Sequence, residues 1–170
     1  MFTLLLSEFN QNNESEIKSL LKQCVHIERW ATEIEQRRPF DSKEELLAYA
    51  SEQTKSWTWD EILAALNTHP RIGEKKAKVA LSEKEQVFSD REQSALSQDE
   101  ETLVALYEGN VAYEKKYGYI FLIKASGLSS EEILTALKYR LANDPEIEKR
   151  IVHQQLLEIA LLRLSQEVQA

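Results

Sequence analysis

Repeatedly along this chain a serine, threonine or asparagine stands three residues before a glutamate, as in Asn13 with Glu16, Ser42 with Glu45, Thr58 with Glu61, Ser82 with Glu85, Ser89 with Glu92, Ser97 with Glu100 and Ser129 with Glu132. That spacing lets a side-chain oxygen and a carboxylate satisfy the orphan N–H groups of a helix start, so each copy is a candidate helix N-terminus. Little in the sequence competes with it, because only four glycines and three prolines occur in 170 residues. The repetition restricts the chain to a succession of capped helices joined by short turns.

The apolar periodicity agrees. Ile17, Leu20, Leu21, Cys24 and Val25 recur at the spacing of one buried helical face and predict a helix over about 14–25. Ile27, Trp30, Ala31 and Ile34 continue the period until Pro39, which pushes Arg38 out of helical geometry. Ser42 opens a helix through Leu46, Leu47 and Ala50, and Thr58 opens one through Ile62 and Leu66 that stops before His69. Residues 75–81 read as helical by propensity, and Ser82 caps a further turn or helix. Ser97 is the expected cap of a helix carrying Leu103, Leu106, Asn110 and Tyr113, which Gly118 ends in the left-handed conformation. Ser129 caps the helix through Leu141, and Asp144-Pro145 starts the last one with proline at its first position.

One run departs from this pattern. Tyr119 to Ala125 is dense in β-branched and aromatic residues, lies between Gly118 and Gly127, and has no second such run to pair with. Its backbone groups must therefore meet helices, water or a ligand. The expected architecture is one all-α domain, residues 1–170, with about seven or eight helices and a short extended segment near 119–125.

Composition narrows the function classes. With 42% apolar and 29% charged residues the chain is neither disordered nor fibrous. A net charge of −8 repels phosphate backbones, which argues against a nucleic-acid partner. The lone Cys24 lies on an apolar stripe, as a buried thiol in a reducing cytosol would. No apolar run approaches the roughly 18 residues of a membrane helix, and Leu4-Leu5-Leu6 lacks a basic flank. A soluble cytoplasmic protein with no membrane association is expected.

Metal, nucleotide and serine-hydrolase signatures are lacking. What stands out is His69-Pro70-Arg71-Ile72-Gly73-Glu74, an imidazole between backbone-breaking residues. Its bland explanation is a solvent-facing His in a helix-ending turn, contributing little to the core. Glu92 is either a capping glutamate or a site carboxylate. Arg163, between Leu162 and Leu164, either snorkels to water or points inward toward an anion. His26 and His153 read as structural or exposed.

Ordered fragments along most of the chain resemble the OHCU decarboxylase family (2-oxo-4-hydroxy-4-carboxy-5-ureidoimidazoline decarboxylase). They are Arg38-Pro39-Phe40, the His69–Glu74 run, Ser89 with Glu92-Gln93, Tyr107 and Asn110 ahead of Tyr113, Tyr117-Gly118-Tyr119 with Phe121 to Gly127, Arg140-Leu141 with Asn143, Glu158-Ile159, and Leu162-Arg163-Leu164. The resemblance implies an all-α homodimer that converts OHCU to S-allantoin, the last step from urate, without metal or organic cofactor. It implies His69 as the acid–base residue, Glu92 as its tautomer-holding neighbour or a ligand for ureido N–H groups, and Arg163 as the partner of substrate negative charge. Pro70, Ser89 and Gln93 would complete the substrate contacts. The backbone of Phe121, Leu122, Ile123, Lys124 and Ala125 would meet the amide-rich ring. Lys124 departs from the small or thiol residue often found there, and its side chain is expected to point to solvent. The C-terminal Glu167-Val168-Gln169-Ala170 carries no peroxisomal tripeptide, in keeping with a cytoplasmic enzyme. The competing class is a non-catalytic helical scaffold that inherited the fold.

Overall fold

A computed structural model describes residues 3–97 and 99–170. Among them are nine α-helices: α1 (Leu6–Gln11), α2 (Glu14–Cys24), α3 (Glu28–Arg37), α4 (Lys43–Thr54), α5 (Trp59–Ala65), α6 (Glu83–Glu92), α7 (Glu100–Tyr117), α8 (Ser130–Leu141) and α9 (Pro145–Glu167). A 3-10 turn, Leu66–Thr68, follows α5. Strands β1 (Leu4–Leu5) and β2 (Val168–Gln169) pair in parallel. No helix described is long and apolar enough to cross a membrane.

Most of the capping serines act as the spacing predicts. The side chains of Asn13, Ser42, Ser82 and Ser129 each accept the N–H of the glutamate three residues on. Thr58 and Glu61 bond reciprocally at the start of α5. Gly118 ends α7 at φ 86°, the left-handed cap that glycine adopts without strain.

Three local expectations are corrected. Residues 75–81 form no helix: Lys75, Lys76, Lys78, Val79 and Ala80 are exposed, and propensity without a buried face cannot hold seven residues helical. The α7 cap is Asp99, which accepts from Thr102 N at 3.1 Å, while Ser97 N donates to Ser130 Oγ. Ser89 and Glu92 do not open a helix, because α6 already starts at Ser82 and carries both in its closing turns. The short α1 and the strand pair were not expected, and nine helices agree with the expected all-α architecture of about seven or eight.

The helices gather into two compact units, one built from the chain up to Ala65 with Leu157–Ala170, the other from Leu66–Leu156. In the first, Phe9, Ile17, Leu21, Trp30, Ile34 and Leu46 are fully buried, as is Cys24. Trp30 Nε1 donates to Ala50 O, satisfying the indole as burial requires. The Arg38-Pro39-Phe40 turn is fixed here: Arg38 Nη1 reaches Phe9 O and Asn12 O, the orphan carbonyls at the end of α1, and Asn10 exchanges two 2.9 Å bonds with the Phe40 backbone. In the second unit, Leu106 and Tyr113 of α7 pack with Ile133 and Leu137 of α8 and with Phe121, Ile123 and Ala125 of the extended segment.

Candidate active site

His69 ends the 3-10 turn, its N–H donating to Leu66 O at 3.1 Å. Its residue exposure is 6%, so the imidazole is buried and the solvent-facing explanation fails. The expectation that it contributes little to packing fails with it. Pro70 is buried as well.

The loop that follows is held from two sides. From α7, Asn110 Nδ2 donates to Ile72 O at 3.0 Å, and Glu114 takes both Nε and Nη2 of Arg71, at 2.7 and 3.0 Å. From α6, Gln93 Oε1 accepts Gly73 N at 2.9 Å while its Nε2 donates to Glu74 O at 3.3 Å. Gly73 sits at φ 91°, a backbone state that a side chain would strain, and this lets its N–H turn toward Gln93.

Ser89, Glu92 and Gln93 stand at i, i+3 and i+4 of one helical turn and so share a face. Gln93 Nε2 reaches Ser89 Oγ at 3.4 Å, and Ser89 is 3% exposed. The bonds from Gln93 to Gly73 and Glu74 tie the end of α6 to the loop that follows His69, and Glu92, the residue before Gln93, is half-buried. A cavity of about 310 Å³ lies beside it, lined by Gly73, Glu74, Lys75, Asp90, Gln93, Ser94 and Leu96. His69 does not line that cavity.

The extended segment is pinned by side chains. Leu122 O accepts from Arg140 Nη1 at 2.6 Å, and Lys124 N donates to Gln155 Oε1 at 2.8 Å. Between these two anchors lie the N–H and C=O of Ile123. Among the described residues nothing hydrogen-bonds to them. The Lys124 side chain is half-buried.

Arg140 belongs to a network that the sequence reading missed. Its Nε and Nη2 bond Glu148 Oε2 at 2.8 and 2.6 Å, Asn143 Nδ2 holds Oε1 at 3.1 Å, and the Tyr113 hydroxyl also donates to Oε2. Burial, then the bond to Glu148, pushes the Tyr113 phenol far above the usual tyrosine value. The guanidinium also lies 4.5 Å from the Phe121 ring centroid. A signal for this was present: Glu148 stands four residues before Val152 on the apolar stripe of α9, so its carboxylate had to be buried and matched by a cation.

Arg163 belongs to the first unit. It points inward at 3% exposure, and its Nη1 meets Gln23 O at 3.4 Å. The snorkelling alternative is overturned.

The family profile for OHCU decarboxylase matches residues 10–165, a span that runs through both units. The chain belongs to the OHCU decarboxylase family. Among OHCU decarboxylase relatives, the 2-oxo-4-hydroxy-4-carboxy-5-ureidoimidazoline decarboxylase of Haloferax volcanii is 25% identical over 98% of this chain and 97% of its own length. The uric acid degradation bifunctional protein TTL of Arabidopsis thaliana is 30% identical over 85% of this chain, and the uric acid degradation bifunctional protein of Bacillus sp. (strain TB-90) is 26% identical over 95%. The chain spans 45% and 32% of those two proteins, less than half of either. A crystal structure of OHCU decarboxylase in the presence of (S)-allantoin superposes with a TM-score of 0.71 at 27% identity, covering 85% of this chain and 94% of that one. An (S)-allantoin synthase structure, at 19% identity and a TM-score of 0.70, shares the fold and covers 97% of this chain and 54% of that one.

Proposed function

We propose that this chain decarboxylates OHCU to S-allantoin, without a cofactor, as a cytoplasmic homodimer folded as one domain. The observation that carries the reading is the buried His69 on a loop that Gln93, at the end of α6, holds through Gly73 and Glu74. The near full-length match to the Haloferax volcanii decarboxylase supports the decarboxylase among the activities of urate degradation.

The chemistry asks for what such a site offers. OHCU carries hydroxyl and carboxylate on one ring carbon next to an imine, so electrons released with CO2 flow into the substrate's own C=N bond. The protein must hold the carboxylate, move a proton and deliver one to a single ring face. His69 is the acid–base group in this reading, and Glu92 fixes its tautomer or accepts ureido N–H groups. Ile123 has a free donor and acceptor to offer a ring amide, whereas the N–H of Lys124 and the C=O of Leu122 are already engaged. Pro70, Phe121 and Ala125 complete the wall. Gln93 is first a positioning residue; a substrate contact from it would use the remaining lone pair on Oε1.

The deciding assay generates OHCU in place by coupled urate oxidation and hydroxyisourate hydrolysis, then follows product handedness by circular dichroism. The protein should accelerate formation of allantoin of one hand. Racemic product at the spontaneous rate would sink the assignment.

Arg163 meets substrate negative charge in this proposal, and its burial supports a fixed cation. Arg163→Lys keeps the charge but loses the planar fork. The loss of a charge-assisted hydrogen bond, about 1.5–3 kcal/mol, corresponds to roughly ten- to a hundred-fold in kcat/KM. An unchanged kcat/KM would remove Arg163 from the site.

A further inference from the structure

The face of α7 turned away from the core carries an apolar seam that nothing described covers. Val104, Tyr107 and Val111 are 47%, 64% and 50% exposed, three large side chains on one helix, whereas the other exposed ones, such as Leu63, Val87, Tyr139 and Ile147, lie one to an element. Their 4-3-4 spacing continues from Glu100, which is the repeat of a helix seam that packs on another helix. Isolated exposed apolar residues need no explanation, but a continuous seam of this kind marks an interaction surface.

The seam also reads the same in both directions. About the midpoint between Tyr107 and Glu108, Val104 and Val111 stand at equal distances, and so do Glu100 and Lys115, both exposed. An antiparallel copy of the same helix therefore places valine opposite valine, sets each Tyr107 opposite Glu108 of the other copy at the centre, and puts Glu100 opposite Lys115 at both ends. That is the self-matching pattern of a two-fold interface, where a contact from i to j is repeated from j to i. Glu114, beside the seam, is already neutralised by Arg71. A partner of one charge sign would satisfy one end and be repelled at the other.

We propose that α7 is the surface through which two copies of this chain pair, antiparallel, about the Tyr107–Glu108 midpoint. The inference rests on the homodimer proposed above and assigns its surface. Asn110 and Glu114 of the same helix hold the His69 loop, so pairing on α7 braces the element that carries the loop.

Sedimentation velocity of the full chain tests it. The wild type should sediment at twice the 19.7 kDa of one chain, and Val111→Glu should sediment as a monomer. Charge reversal keeps the test clear of folding defects, because Glu100 and Lys115 are surface residues. Glu100→Lys and Lys115→Glu should each raise the dimer dissociation constant about five-fold or more, and the double variant should recover most of the loss, as expected for a pair worth up to ~1 kcal/mol made twice. A monomeric wild type would overturn the proposal, as would a dimer indifferent to Val111→Glu or a double variant weaker than either single one. The allantoin assay on the same samples separates the two readings. An active monomer defeats the α7 surface alone, and an inactive dimer that obeys the charge swap defeats the decarboxylase alone.

Discussion

His69→Asn is expected to lower kcat for OHCU decarboxylation by roughly a hundred- to ten-thousand-fold, the range that a positioned proton-transfer group contributes. Asparagine is the informative replacement because His69 is buried. Alanine would empty a packed site and confuse lost chemistry with lost structure. Asparagine fills much of the imidazole volume, keeps a hydrogen-bonding head and cannot titrate. The fall should appear in kcat, with a helical circular dichroism spectrum and a melting transition close to the wild type. A variant within about ten-fold of the wild-type rate would show that the proton moves through another group.

The loop that carries His69 was legible as an oddity and not as a site. Proline and glycine around an imidazole mark a turn, but burial is decided by residues distant in sequence, and Asn110, Gln93 and Glu114 reach the loop across 19 to 43 positions. The resemblance named Asn110 and Gln93 among its matched residues but gave neither as a holder of the loop, and nothing in the sequence singled out Glu114. Helix starts were legible because a cap is a local event, complete within four residues, and the side chains of Ser42, Ser82 and Ser129 each find the expected N–H. The same spacing misled at Ser89 with Glu92, since a serine and a glutamate three apart also share the face of a helix already under way. At residues 75–81 the error was energetic: good helix formers lacked anything to bury against.

The second large effect falls on stability. Glu148 is fully buried, and Arg140 is 5% exposed and bonded to it through two nitrogens. Glu148→Ala leaves a guanidinium in the core without its counter-charge, and the expected cost is about 3–5 kcal/mol. Against a typical domain stability of about 5–15 kcal/mol, that is a large share, readable as a drop in the midpoint of urea unfolding. Arg140→Met leaves the converse orphan and should cost a similar amount, while Arg140→Met with Glu148→Leu should cost less than either change alone, since the desolvation of both charges disappears together. Tyr113 gives the same network a second readout. Its raised pKa means the folded protein keeps the phenol protonated, so its contribution is fully present below the ordinary tyrosine value of about 10 and is lost as pH rises beyond it, where the unfolded chain ionises first. Tyr113→Phe should therefore flatten the alkaline fall in stability. Removal of Arg140 also takes the donor from Leu122 O, so Arg140→Met should raise KM for OHCU as the extended segment loosens. If the single variants unfold at the wild-type urea midpoint, the pair is not the anchor of the segment that this geometry describes.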